Sequence, residues 1–176
     1  MTPLSSLRRT ALVALLALLA ATAAAAEPAP GPGSGDVPPP ALGRNLEGED
    51  VLLTNYAGKA VVLTFWATWC PYCIKELPIL QRVQDRAGKD RIQVIAVNIE
   101  DHDVFLRASH VMRPAITLEL VNDASGKAQK AYGVHGIPYM VIVGRDGRIV
   151  NVWRGYSEDS LNAIVKDINR ALAPTP

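Results

Sequence analysis

The chain has 176 residues, of which 49% are hydrophobic, so a single domain with a substantial core is expected. Its 18 basic and 17 acidic residues nearly balance, and no basic stripe is visible, so there is no electrostatic case for nucleic-acid binding. Two cysteines occur, Cys70 and Cys73, which excludes a disulfide-rich secreted scaffold.

Residues 1–26 have the pattern of an export signal. Arg8 and Arg9 give a positive start, an apolar run covers Ala11–Ala20, and Ala24–Ala26 provide the small residues that a signal peptidase accepts. We predict cleavage at the end of this segment. The alternative is an uncleaved anchor, because the apolar stretch approaches the length of a spanning helix. Both alternatives place the rest of the chain in the periplasm.

A proline- and glycine-rich segment follows the signal. Residues 27–40 contain six prolines and three glycines, which leaves too few apolar side chains for a core. We predict a semi-extended linker here, joined to a folded domain of residues 41–176.

Hydrophobic periodicity divides this domain into alternating elements. The predicted strands lie at Val51–Leu53, Ala60–Trp66, Ile92–Ile99, Ile116–Val121, Tyr139–Val143 and Arg148–Trp153. The predicted helices are Tyr72–Ala87, a short helix starting at Asp101 or Asp103, Lys127–Tyr132 and Ser157–Leu172. This order indicates an α/β fold with a mixed central sheet, parallel at its centre and antiparallel at its edges, with helices on both faces.

The two cysteines form a Cys-Pro-Tyr-Cys motif between a buried strand and a helix. A structural zinc site requires four ligands, and the three histidines show no ligand spacing, so we expect no metal. A disulfide across this spacing closes too small a ring to stabilise the fold much. The pair is therefore expected to be a redox-active disulfide, with no further cofactor.

The helix start is expected to give the two cysteines different roles. Cys70 lies where unpaired N–H groups and the helix dipole stabilise a thiolate, so we predict that it is the exposed nucleophile. Cys73, one turn later, is predicted to be the less exposed, resolving thiol. Pro71 fits the first turn of the helix, where its missing N–H costs little.

Two further residues are candidates for the site. Glu76, if buried beside the cysteines, would have a raised pKa and could move protons, although an exposed acid is the commoner case. Pro138 stands at the entrance of a strand, where a cis peptide bond would leave the Ile137 backbone free to pair with a substrate. A trans turn proline is the alternative.

The combined motifs resemble the thioredoxin superfamily, in particular its exported TlpA/ResA-like branch. The resemblance covers about residues 41–172, and the segments that carry it are Phe65–Cys73, Glu76–Pro78, Val94–Asn98 and Tyr132–Pro138. It implies a thioredoxin fold with an N-terminal β-hairpin and an inserted βα unit at roughly residues 101–121. It also implies a cis Pro138 facing the cysteines and a proton-transfer role for Glu76.

The resemblance also implies which residues contact a substrate, namely Trp69, Pro71, Tyr72, Ile137 and Pro138. The chain departs from the branch at two places. Tyr139-Met140 replace two threonines after the proline, and we expect them to alter the substrate groove. Pro71-Tyr72 is similar to the glutaredoxin dipeptide.

The expected function is that of a periplasmic thiol–disulfide oxidoreductase that reduces disulfides in client proteins. The resemblance implies clients of cytochrome c maturation or copper-oxidase assembly, and a membrane thiol donor as the source of electrons. We expect a monomer. Two alternatives remain open, a disulfide-forming oxidant and a non-enzymatic Cu(I)-binding chaperone, since soft thiolates suit Cu(I).

Overall fold

The computed structural model describes residues 30–155 and 157–174. Elements alternate along this part of the chain, with short 3-10 turns at Leu53–Tyr56 and Glu158–Ser160. The strands are β1 (Ala41–Arg44), β2 (Asp50–Leu52), β3 (Ala60–Trp66), β4 (Ile92–Asn98), β5 (Glu119–Asn122), β6 (Tyr139–Val143) and β7 (Ile149–Arg154). The helices are α1 (Pro71–Ala87), α2 (His102–Met112), α3 (Lys127–Ala131) and α4 (Leu161–Leu172).

The strands form one mixed sheet in the order β2-β1-β5-β4-β3-β6-β7. Strands β5, β4 and β3 run parallel, whereas β6 and β7 on one side and β1 and β2 on the other are antiparallel to their neighbours. Both β3 and β4 are buried along their whole length, because their continuous apolar sequences are covered on both faces. The predicted α/β architecture, with a parallel centre and antiparallel edges, is confirmed.

Side chains alternate between two cores along the central strands. On one face Val62 and Trp66 pack with the apolar residues of α1, α2 and α4. On the other face Leu63 and Phe65 pack with Tyr132 and the short helix α3. The second face has little helical cover of its own.

The inserted unit differs in its limits from the sequence prediction. It consists of helix α2 followed by strand β5, and the strand covers Glu119–Asn122 instead of Ile116–Val121. The backbone N–H groups of Ala115 and Ile116 both donate to the Met112 carbonyl, so these residues continue the turn that ends the helix. Ile116 and Leu118 are buried nonetheless, and they enter the core before the strand begins.

The proline- and glycine-rich segment lies on the domain throughout residues 30–40. Gly35 donates its N–H to the Ile149 carbonyl at 2.8 Å, and Ile149 donates to the Asp36 carbonyl at 2.9 Å. The Tyr132 hydroxyl donates to the Pro39 carbonyl at 2.6 Å. Several backbone groups of residues 30–40 are therefore bonded to the domain, so this part of the predicted linker lies along it.

Within residues 30–155 and 157–174, no helix is both long enough and apolar enough to cross a bilayer. The predicted export signal, residues 1–26, lies outside the residues that the structure describes.

Packing of the N-terminal segment can be tested at Gly31. A Cβ at this position would lie 1.9 Å from the Tyr132 carbonyl oxygen, so Gly31→Ala forces the segment away and should destabilise the protein by about 1–3 kcal/mol. Gly33→Ala is the matched control, because its Cβ would meet only the Asp36 carboxylate at 3.9 Å. Urea unfolding measures both variants, and equal midpoints would contradict the packing described here.

Candidate active site

Cys70 and Cys73 are joined by a disulfide at the point where β3 leads into α1, with their Cα atoms 5.3 Å apart. Cys70 is the N-cap of α1, and its sulfur accepts a hydrogen bond from the Cys73 backbone N–H at 3.2 Å. Pro71 occupies the first turn, where no N–H is needed. The free N–H groups of this turn can therefore stabilise negative charge on the Cys70 sulfur.

The exposed side chains at the site belong to the neighbours of the cysteines. Cys70 is only 4% exposed and Cys73 is fully buried. Cys73 is therefore the less exposed of the two, as predicted, but Cys70 is not exposed as predicted. The reason is the disulfide, which ties the Cys70 sulfur to a buried partner. Trp69 and Tyr72 stand out instead, at 65% and 55% exposed.

Glu76 lies about one turn after Cys73 on α1. It is only 4% exposed, and its Oε2 accepts a hydrogen bond from the Thr64 hydroxyl of β3 at 2.7 Å. Burial raises the pKa of Glu76 to about 7, although the Thr64 hydrogen bond opposes the shift. The commoner case of an exposed acid is therefore excluded, and near neutral pH this carboxyl can both accept and release a proton.

The Ile137–Pro138 peptide bond is cis, as the resemblance implied. Register pairs Phe65 of β3 with Tyr139 of β6, so the proline lies at the end of the sheet from which the chain continues to Cys70. The Pro138 carbonyl accepts the Gly155 N–H at 2.8 Å and is already occupied. The residue before the proline at this edge is Ile137, which is half-buried.

Tyr139 and Met140 do not line a substrate groove, contrary to expectation. Both are 2% exposed and point into opposite cores. The Tyr139 hydroxyl donates to the Tyr132 carbonyl at 2.9 Å, which satisfies its polar end inside the protein. Their size therefore serves packing.

An apolar groove between α1 and α2 was not predicted. Its lining includes Ile74 of α1 together with Val104, Arg107 and Val111 of α2. Val111, an apolar residue of α2, is 77% exposed. Periodicity locates the apolar stripe of a helix, but it does not show where a neighbouring helix ends and leaves that stripe uncovered.

Glu100 was also missed by sequence reasoning. It follows β4 and accepts hydrogen bonds from the backbone N–H and the hydroxyl of Thr68, both at 2.7 Å. A polar residue just beyond the carboxyl end of a buried parallel strand was the available signal, because functional groups of open α/β sheets gather at that edge. Within residues 30–155 and 157–174, no group of three or more His, Cys, Asp or Glu side chains is placed to share a metal ion.

Comparison with known proteins agrees with this geometry. The model of the AhpC/TSA family matches residues 35–152, which is more than half of the chain. The chain belongs to this family. Its thioredoxin-like relatives include the exchange enzymes that the TlpA/ResA-like resemblance indicated.

Two curated relatives carry the name of the activity. The thiol-disulfide oxidoreductase ResA of Bacillus thuringiensis subsp. konkukian is 27% identical over 125 residues, covering 70% of this chain and 72% of the relative. The sporulation thiol-disulfide oxidoreductase A of Bacillus subtilis is 30% identical over 115 residues, covering 64% of this chain and 69% of the relative. With the Cys70–Cys73 pair in place, this AhpC/TSA-family protein is a thiol–disulfide oxidoreductase.

Solved structures give the same fold. A Chlorobium tepidum protein provisionally assigned as thiol:disulfide interchange protein DsbE superposes with a TM-score of 0.71 at 26% identity, covering 81% of this chain and 99% of that one. StoA from Bacillus subtilis superposes with a TM-score of 0.56 at 27% identity, covering 74% and 99%.

Titration of Glu76 should be visible in stability. Its pKa rises from 4.5 in an ordinary setting to about 7 in the fold, so the folded state holds this proton more tightly. The stability gained is therefore complete below pH 4.5 and lost as the pH rises through about 7, a fall of about 3 kcal/mol at most.

Urea unfolding of the oxidised protein at several pH values between 4 and 8 measures this fall. Glu76→Gln should remove most of it, whereas Glu158→Gln, the same change at an exposed position, should leave it in place. Equal pH dependence in the wild type and Glu76→Gln would contradict a raised pKa at Glu76.

Proposed function

We propose that this oxidoreductase acts as a reductase of disulfides in exported client proteins. The observation that carries the proposal is the disulfide at a helix N-terminus, together with the buried Glu76 carboxyl in the same helix, whose pKa is about 7. The first feature favours a Cys70 thiolate, and the second supplies a group that can exchange protons near pH 7.

The reaction would begin from the reduced dithiol. The Cys70 thiolate attacks one sulfur of a client disulfide, so that a mixed disulfide forms and the second client sulfur leaves as a thiolate. The Cys73 thiol gives its proton to Glu76 and attacks the Cys70 sulfur. The first client sulfur then leaves, and the Cys70–Cys73 disulfide forms. The client gains two electrons, and Glu76 returns the proton to a departing client thiolate.

Client binding is assigned to the surface around the disulfide. Trp69, Pro71 and Tyr72 are exposed next to Cys70 and offer apolar contact area. An extended client segment would pair with the Ile137 backbone, because the Pro138 carbonyl is already bonded to Gly155. Pro138 itself is buried and would shape this edge through its backbone.

The setting of this reaction is proposed to be the periplasm. The export pattern of residues 1–26 supports it, and so does a structural neighbour described as the exposed lipoprotein thioredoxin of Streptococcus pneumoniae, 27% identical with a TM-score of 0.60. A membrane thiol donor would return electrons to the oxidised pair. Clients of cytochrome c maturation or copper-oxidase assembly are the proposed substrates of a monomeric enzyme.

Trapping tests the division of labour between the cysteines. Cys73→Ser should leave Cys70 able to attack but unable to be released, so mixed disulfides with client proteins accumulate. They are detected as high-mass species on non-reducing gels that disappear with dithiothreitol, and mass spectrometry identifies the client.

Cys70→Ser is the matched control, because it removes the attacking thiol and keeps Cys73. Trapped species in Cys70→Ser but not in Cys73→Ser would reverse the assignment. Their absence from both variants, expressed with the full export segment, would contradict the proposed reductase.

A further inference from the structure

A two-point hydrogen-bonded contact holds the segment that leads into Cys70. The backbone N–H of Thr68 donates to Oε2 of Glu100, and the Thr68 hydroxyl donates to Oε1, each at 2.7 Å. Both carboxylate oxygens are used, and 32 positions of sequence separate the partners. Two short bonds to an ionised acceptor fix a direction as well as a distance.

Glu100 is itself held in place by side chains of the sheet. Its Oε2 accepts a third hydrogen bond from the Asn98 side-chain amide at 3.0 Å, and its backbone N–H donates to Asn98 Oδ1 at 2.9 Å. The Asn122 side chain of β5 donates to the Glu100 carbonyl at 2.8 Å. Asn98 is fully buried and Asn122 nearly so, which makes them a rigid base for this contact.

The charge state of Glu100 fits this arrangement. Burial alone would raise the pKa of its carboxyl, but the hydrogen bonds from Thr68 and Asn98 outweigh burial and lower it. The carboxylate therefore stays ionised at neutral pH and accepts all three bonds.

The segment held by Glu100 has few other attachments. Trp69, between Thr68 and Cys70, is largely exposed, so its side chain anchors the backbone poorly. The Cys70 N–H donates to the Ala67 carbonyl at 3.1 Å, which closes a tight turn around Thr68. A shift of Thr68 would therefore pass directly to the Cys70 backbone and to the line along which its sulfur meets a disulfide.

We propose that Glu100 is a positioning residue for thiol–disulfide exchange, which sets the reactivity of Cys70 by holding Thr68 against the carboxyl edge of the sheet. The inference rests on the oxidoreductase activity and not on the direction of electron flow, because both directions pass through attack at the Cys70 sulfur.

Single-turnover exchange tests this role in the full chain. The reduced protein is mixed with a synthetic peptide containing one intramolecular disulfide, and the rate is followed by quenching and mass spectrometry. Because small displacements of reacting groups slow reactions strongly, Glu100→Ala, which removes both acceptor oxygens, should be slower by about tenfold or more. Thr68→Val removes one of the two bonds and should be slower by a smaller factor.

Matched variants separate positioning from a general effect. Thr68→Ser keeps both donors and should react at the wild-type rate. Asp103→Ala removes one negative charge from an exposed site in the first turn of α2 and should also react normally. The double variant Thr68→Val/Glu100→Ala should be no slower than Glu100→Ala alone, because Glu100→Ala already removes the bond that Thr68→Val removes.

Any of four results would overturn the proposal. Thr68→Val could react as fast as Thr68→Ser, or Glu100→Ala as fast as Asp103→Ala. The double variant could instead be slowed by the product of the single effects. Unfolding midpoints are measured for every variant, and a rate loss that disappears when the proteins are compared at equal folded fraction would also count against positioning. Failure of client trapping, in contrast, would leave these rates unaffected.

Discussion

Parallel pairing of β3 with β4 determines where the reactive groups of this protein lie. Trp66 stands opposite Asn98, so the two strands end together and their following segments leave the sheet at the same edge. Thr68 then meets Glu100 there, and Cys70 starts α1 a few residues later. Strand β6 runs antiparallel to β3, which brings the cis-proline at its start to the same edge. A shift in the register of β3 against β4 would separate Thr68 from Glu100.

The site combines two opposite electrostatic environments within the first two turns of α1. At Cys70 the free N–H groups of α1 favour a negative charge, whereas at Glu76 burial disfavours one. In the proposed cycle this difference separates the roles, since the anion is held at the attacking sulfur and the proton at the carboxyl. The Thr64 hydroxyl donates to the carboxyl and so ties Glu76 to the central strand β3.

Much of this site could be predicted from local sequence because its parts are local. One helix start contains the cysteines, Pro71 and Glu76. The family resemblance predicted the cis bond at Pro138 and pointed to Glu76 as a site residue. The contact between Thr68 and Glu100 could not be found this way, because it depends on which strands pair. The attachment of residues 30–40 to the domain was not predicted for a related reason. A segment too poor in apolar residues to form its own core can still bond along one that exists. The exposed Val111 shows that periodicity does not reveal which part of a helix stays uncovered.

The reduction potential of the Cys70–Cys73 pair tests the account most directly. It is measured at pH 7 by equilibrating the protein with dithiothreitol buffers and counting alkylated thiols by mass spectrometry. A reductase of client disulfides predicts a value well below about −200 mV, in the range of reducing thioredoxin-type proteins. A value near about −120 mV, typical of enzymes that install disulfides, would contradict it.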